Sequence, residues 1–197
     1  MANQNGANYG FTGLFPIARG QSIELRALLR SLDDTKAFPR GSPFSHVPII
    51  HMARLVIIDC LPYQGTPAKL DTLRSDYLLF TCDFDGSSVD AVINAMAANI
   101  PGPMMAIWGN CIGFPGIKKH DRLSEYFERC QLDNNLFLVD QPKASVDEIL
   151  RGLLCRRRFG EFVELMQRKP RKPAVLKRGF MRMWRRLETE RPLPGDL

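Results

Sequence analysis

Two strand-like runs follow one another near the middle of the chain with no helical period between them, and a helical stripe flanks the pair on each side. The runs are His51 to Leu61 (HMARLVIIDCL), dense in β-branched and apolar residues, and Tyr77 to Phe84 (YLLFTCDF), joined through a link that holds Gly65 and Pro67. Upstream, Phe11 to Ile17 (FTGLFPI) is a short apolar run, and Leu25, Leu28, Leu29 and Leu32 follow at i, i+3, i+4, i+7. That spacing predicts a strand and then an amphipathic helix. Downstream, Ser87 precedes the helical stripe Val89, Val92, Ile93, Met96, Ala97 and Ile100, with Asp90 three residues after the serine and Pro101 and Pro103 as stops. Met105 to Ile112 (MAIWGNCI) then reads as a fourth strand. The order β-α-β-β-α-β predicts an α+β plait, an antiparallel four-stranded sheet with two helices on one face and the other face uncovered.

Past the plait, Leu123, Tyr126, Phe127 and Cys130 mark a third helix, and Leu136 to Val139 reads as a short extra strand. Ser145-x-x-Glu148 is a capping-box pattern that opens a fourth helix through Ile149, Leu150, Leu153 and Leu154 toward Met166. Asp33 to Pro48 holds three prolines and no periodicity, so it reads as a long connection of the kind that often borders a site. With 197 residues, 45% of them hydrophobic and 24% charged, the chain suits one domain with appended helices over residues 1–167 and a tail over 168–197. The polar start, Met1 to Gly10, has no signal-peptide pattern and no later run reaches a membrane span, so a cytoplasmic protein is expected. Five widely spaced cysteines without a Cys-x-x-Cys pair read as reduced core thiols.

Strand alternation sorts the faces. Ala53, Leu55 and Ile57, with Leu78, Phe80, Cys82 and Phe84, are apolar sets that should meet the helices. Met52, Arg54, Tyr77, Thr81 and Asp83 should share the opposite face, with Trp108 and Asn110 joining them from the fourth strand. A face that mixes these groups is the pocket expected from the residues, in which Arg54 orients an anionic or carbonyl group, Asp83 moves a proton, and Tyr77 and Trp108 form apolar walls. The competing reading is an ordinary cross-strand ion pair between Arg54 and Asp83. His46, His51 and His120 have no acidic or cysteine neighbour at ligand spacing, so no metal site is expected. The absence of a Gly-x-Ser-x-Gly elbow and of a Gly-x-x-x-x-Gly-Lys loop argues against hydrolase and P-loop nucleotide chemistry.

The phrases HMARLVIID at 51–59, LLFTCDFDG at 78–86 and AIWGNCIGFPG at 106–116, in this element order, resemble the ferredoxin-like dimeric α/β-barrel superfamily over roughly residues 8–160. The likeness lies in strand phrases and runs toward uncharacterised bacterial domains of that group. The resemblance implies a homodimer closed through the open sheet faces, a small-molecule ligand in the barrel, and, if the protein is an enzyme, an oxidoreductase of peroxidase or monooxygenase type. The peroxidase branch carries a Gly-x-x-Asp-Gly motif whose aspartate serves haem. The nearest match here is Cys82-Asp83-Phe84-Asp85-Gly86, which lacks the first glycine, so the cofactor is left open with haem as the candidate that the resemblance implies. RNA-recognition domains share the element order, but Ser75 to Phe84 lacks their basic and glycine positions and is acidic, which disfavours nucleic acid as a partner of the sheet.

The net charge of +6 divides unevenly. Residues 151–197 hold 14 Lys and Arg against 5 Asp and Glu, or +9, which leaves 13 against 16, or −3, for residues 1–150. In the tail, Leu176, Phe180, Met183, Trp184 and Leu187 fall at i, i+4, i+7, i+8 and i+11, with Lys177, Arg178, Arg182, Arg185 and Arg186 on the remaining surface. This is the pattern of a basic amphipathic helix, which suits the inner face of an anionic membrane or an acidic protein groove. The alternatives are a stripe that only covers its own domain, and a non-catalytic interaction module in which the tail is the working part.

Overall fold

The structure, a computed structural model, describes residues 3–32, 41–61, 63, 65–67, 73–168 and 172–196. It is α+β, with a four-stranded antiparallel sheet and six α-helices among the described residues. The strands are β1 (Gln4–Asn5), β2 (Asn8–Pro16), β3 (Ile50–Ile58) and β4 (Tyr77–Asp85), in the spatial order β1-β2-β4-β3. Helix α1 (Ser22–Leu32) follows β2, and α2 (Val89–Asn99) and α3 (Pro101–Trp108) follow β4. Helices α4 (His120–Cys130), α5 (Val146–Gln167) and α6 (Pro173–Thr189) complete the chain. Part of the expected connection Asp33 to Pro48 lies outside the described residues, and Pro43–His46 within it forms a single 3-10 turn capped by the Ser42 hydroxyl.

The alternation along β2 and β4 divides their side chains cleanly. Phe11, Phe15, Leu78, Phe80, Cys82 and Phe84 are buried on the helix-covered side, and the register places Ala53 opposite Cys82, Leu55 opposite Phe80 and Ile57 opposite Leu78 on that same side. Leu25 of α1, Val92, Ile93 and Met96 of α2, and Leu123 and Phe127 of α4 close over them. Burying side chains of this size stabilises by about 1.5–3 kcal/mol each relative to exposure, so one covered face suffices to hold the sheet.

The fourth strand expected at Met105 to Ile112 is a helix instead. Pro101 occupies the first helical position of α3, where its missing N–H costs nothing and its fixed φ is already helical, so the proline that ends α2 also begins α3. Met104, Ile107, Trp108 and Cys111 stand at i, i+3, i+4, i+7 and are all buried, a helical spacing inside a run too short to be told from a strand by composition. Trp108 therefore lies in the core and not on the open face. Its ring meets Phe80 edge-on at 5.1 Å and Phe127 at 5.2 Å. Asn110 likewise leaves the expected face, since its Nδ2 donates to the Ala106 carbonyl at 2.6 Å at the end of α3.

The outer edge of β2 is completed by short pieces. Ile17 bridges Cys111, Gly13 bridges Gln131, and the Leu132 N–H donates to the Thr12 carbonyl at 2.7 Å. The residues expected to form a strand at Leu136 to Val139 have no ladder partner and leave Leu136 and Leu138 in solvent. Between those two leucines Phe137 turns inward onto Gly10, where a β-carbon would fall 2.7 Å from its ring. Gly6 plays a similar part at the β1–β2 turn, with φ +64° and no room for a side chain beside the Pro142 carbonyl.

The Ser145–Glu148 capping box is formed in both directions at the start of α5. The N-cap of α2 is Ser88, one residue after the serine expected, and its hydroxyl makes no capping bond. Of the cysteines, Cys82 and Cys111 are buried and all five are free thiols, but Cys60 is exposed and is not part of the core. No described helix is long and apolar enough to cross a membrane.

Trp108→Ala should lower stability by about 3–5 kcal/mol in urea unfolding, because it empties the centre of the aromatic cluster. Trp108→Phe should cost much less, since it keeps an aromatic ring there and removes an indole N–H that has no partner among the described residues.

Candidate functional site on the open sheet face

The face of the sheet opposite the helices is built in rows by the strand register. Met52, Asp83 and Gly10 form one row, Arg54, Thr81 and Thr12 the next, then Val56, Leu79 and Leu14, and finally Ile58, Tyr77 and Pro16. The structure thus brings together five of the residues expected at a pocket, Met52, Arg54, Tyr77, Thr81 and Asp83, and leaves Trp108 and Asn110 apart from them. The first two rows are polar at their centres and the last two apolar. Met52 and Val56 are exposed, as is Arg54, and the β4 residues are half-buried.

Asp83 occupies the most unusual environment of these side chains. Burial pushes its carboxyl above the ordinary aspartate range, and the attraction of His51 and Arg54 offsets this only in part. Asp83 therefore holds its proton to higher pH than a solvated aspartate does. In the adjoining row the Thr81 hydroxyl is shut off from solvent and has no hydrogen-bond partner among the described residues. A buried hydroxyl without a partner costs about 1–3 kcal/mol.

Two further groups flank this face that composition and spacing do not reveal. Between Ile50 and Met52 the β3–β4 register slips, and His51 Nε2 lies 2.7 Å from Asp85 Oδ1. The other carboxylate oxygen of Asp85 accepts from the Val146 N–H at 2.9 Å, at the first residue of α5. That N–H is one of the unpaired donors of a helix start, where a carboxylate is also favoured by the helix dipole. Asp85 is thereby a junction between sheet and helix. The second group is the segment that holds Phe137 over Gly10, where Asn134 accepts from the Thr12 hydroxyl and donates to the Gly10 carbonyl, both at 2.9 Å. A glycine inside a strand signals close approach by another group, and Gly10 is the one sequence cue to this wall.

The peroxidase motif would give the haem-serving role to Asp85. Both of its carboxylate oxygens are already engaged, by His51 and by the start of α5, so the residues here do not fit that group. Among the described residues no cluster of three or more His, Cys, Asp or Glu is placed to hold a metal ion. In comparisons with known proteins, no family model, no curated protein and no solved structure matches the chain.

Because the folded-state pKa of Asp83 is raised, its contribution to stability is full below the unfolded pKa, about 4, and is lost as pH rises through the folded value. Asp83→Asn carries no such penalty. Its melting temperature should exceed that of the parent at pH 7, and the gap should close as the pH falls toward about 4. Asp85→Ala should behave in the opposite sense, destabilising by about 1–3 kcal/mol at neutral pH in chemical unfolding, since it strips the Val146 N–H of its partner.

Proposed function

We propose that the open sheet face binds a small molecule with an anionic or carbonyl group on an apolar body, and that Asp83 exchanges a proton with it. Arg54 pairs with the polar group, and Val56, Leu79, Leu14 and Tyr77 form the apolar floor. The observation that carries this reading is the exposed Arg54 one row from the proton-retaining Asp83, beside apolar rows, on a face that the helices leave uncovered. The polar rows at Asp83 and Arg54 lie directly beside the apolar rows at Val56, Leu79 and Tyr77, the mixture that a ligand with a polar group on an apolar body needs.

A second copy of the chain closes the face in this reading, as the resemblance to dimeric α/β barrels implies. Met52 and Val56 are 43% and 41% exposed, and a two-fold arrangement would bury each against its symmetry mate's face. Of the phrases that carry the likeness, those at 51–59 and 78–86 fall on β3 and β4 and that at 106–116 does not form a strand, so the support for this assembly is the uncovered apolar half of the face.

Benzoate, an aromatic carboxylate, is a suitable probe. Titrating it into isotope-labelled protein should shift backbone amide resonances of residues 52–56 and 77–83 selectively. Arg54→Met should abolish those shifts and move the melting temperature by no more than a few degrees, since Arg54 is exposed. Shifts scattered over the chain, or shifts that survive Arg54→Met, would overturn the site. Light scattering should give twice the chain mass of 22.3 kDa. A strict monomer at micromolar concentration removes the second copy from the reading.

A further inference from the structure

The α5–α6 pair takes no part in the site just described, and its surface divides into two kinds. The inner half of α6 is spent on α5. Gly179 lets the helices approach until a β-carbon there would stand 3.2 Å from the Phe162 ring, and Phe162 and Phe180 meet edge-on at 6.1 Å. Arg158 of α5 binds both oxygens of Glu190, which also takes Arg186. Arg186 thus belongs to the hairpin itself and is not available to a partner in the way its neighbours are.

The outer half of α6 has no such employment. Lys177, Arg178, Arg182 and Arg185 are exposed along it, with no ion pair to another described residue, and Met181 lies among them with 41% of its surface in solvent. On the flank of this cationic strip, Phe180 and Trp184 stack on one another at 6.1 Å, and the aromatic chain continues through Phe162 to Phe159 on α5. Phe180, Trp184 and Phe159 keep 36%, 45% and 49% of their surfaces exposed. A purely solvated charged face would have no reason to keep an aromatic seam beside it.

We infer that the outer face of α6 docks the protein on an anionic lipid bilayer, with the four basic side chains at the headgroups and the Phe180–Trp184 seam entering the acyl boundary. A helix with cations on one side and exposed aromatics at their margin is the form that lies in a membrane interface. Two observations favour lipid over other anions. An acidic protein groove would take the apolar half of α6, and α5 already holds it. The charge division of +9 for residues 151–197 against −3 for residues 1–150 draws the hairpin toward an anionic sheet of charge and repels the body, leaving the open sheet face clear.

The test uses the full chain and sedimentation with vesicles of equal parts phosphatidylglycerol and phosphatidylcholine, against vesicles of phosphatidylcholine alone. Trp184 serves as reporter, because the other tryptophan, Trp108, is fully buried in the core and blind to vesicles. Binding to anionic vesicles with a blue shift of tryptophan emission is expected, weakening as salt is raised. Replacing Arg178, Arg182 and Arg185 together by Gln should weaken binding about a hundredfold, at roughly tenfold or less per basic residue near the surface. Trp184→Phe should keep the binding and lose the emission shift. Circular dichroism of each variant checks that the hairpin remains helical. Sedimentation that is absent, equal on neutral vesicles, or unchanged in the triple variant overturns the inference, and so does tighter binding to a single-stranded RNA oligonucleotide than to the anionic vesicles.

Discussion

One-sided aromatic packing is the constraint from which the rest of the architecture follows. Phe11, Phe15 and Phe80 of the sheet meet Trp108 and Phe127 of the helices at ring separations of 5.0–6.0 Å, mostly edge-on or tilted. Such rings bury large areas and prefer these angled arrangements, so the helices are held to one face of β2 and β4. Because β-strand side chains alternate strictly, every residue that joins this cluster commits its neighbours to the other face. The rows containing Arg54, Thr81 and Asp83 are therefore a consequence of where the phenylalanines stand.

The second dependence is at Asp85. Its neighbour Phe84 points into the core, which leaves the Asp85 carboxylate at the end of the open face with His51 on one oxygen and the start of α5 on the other. The capping box of Ser145 and Glu148 satisfies the rest of that helix start, and the Ala7 N–H to Pro142 carbonyl bond ties down the chain just before it. A carboxylate used in this way has little left to offer a cofactor. This is why the aspartate singled out by a peroxidase-like motif serves architecture here, whereas Asp83, two residues earlier in the same strand, has a carboxyl that burial holds above the ordinary range.

Much of this was legible in the residues, and the misses have physical reasons. Period-two alternation separated Ala53, Leu55 and Ile57 from Met52 and Arg54, and the register agrees with that separation. The helical stripes at Leu25–Leu32, Val89–Ile100 and Leu123–Cys130 correspond to α1, α2 and α4, since a periodic stripe is a direct record of burial on one side. Met105 to Ile112 is ambiguous because an eight-residue apolar run is compatible with either period, and Pro101, which stops α2, also starts α3. Trp108 and Asn110 went to the wrong face with it. His51 was beyond reach, because a slip in register carries no composition of its own. The segment from Gln131 to Pro142, where Leu136 to Val139 suggests a strand that does not form, misleads for another reason: it is held by Asn134, Gly10 and Gly6, and backbone partners and absent side chains leave no hydrophobic pattern.

The tail shows how one amphipathic pattern serves two masters. Leu176, Phe180, Met183, Trp184 and Leu187 form an apolar arc of about 100°. α5 packs against one side of that arc, next to which Gly179 permits close approach, and the opposite margin at Phe180 and Trp184 stays partly in solvent. Gly179 weakens α6 from within, and most of a protein helix's stability comes from packing of its apolar face, so the contact with α5 is what holds the basic side chains along one strip. That rigidity matters for any charged surface they meet, because cations already aligned lose less conformational freedom on contact than the same residues on a coil would. The start of α5 is tied to the end of the open sheet face by the Val146 N–H on Asp85, which fixes where the hairpin leaves the sheet.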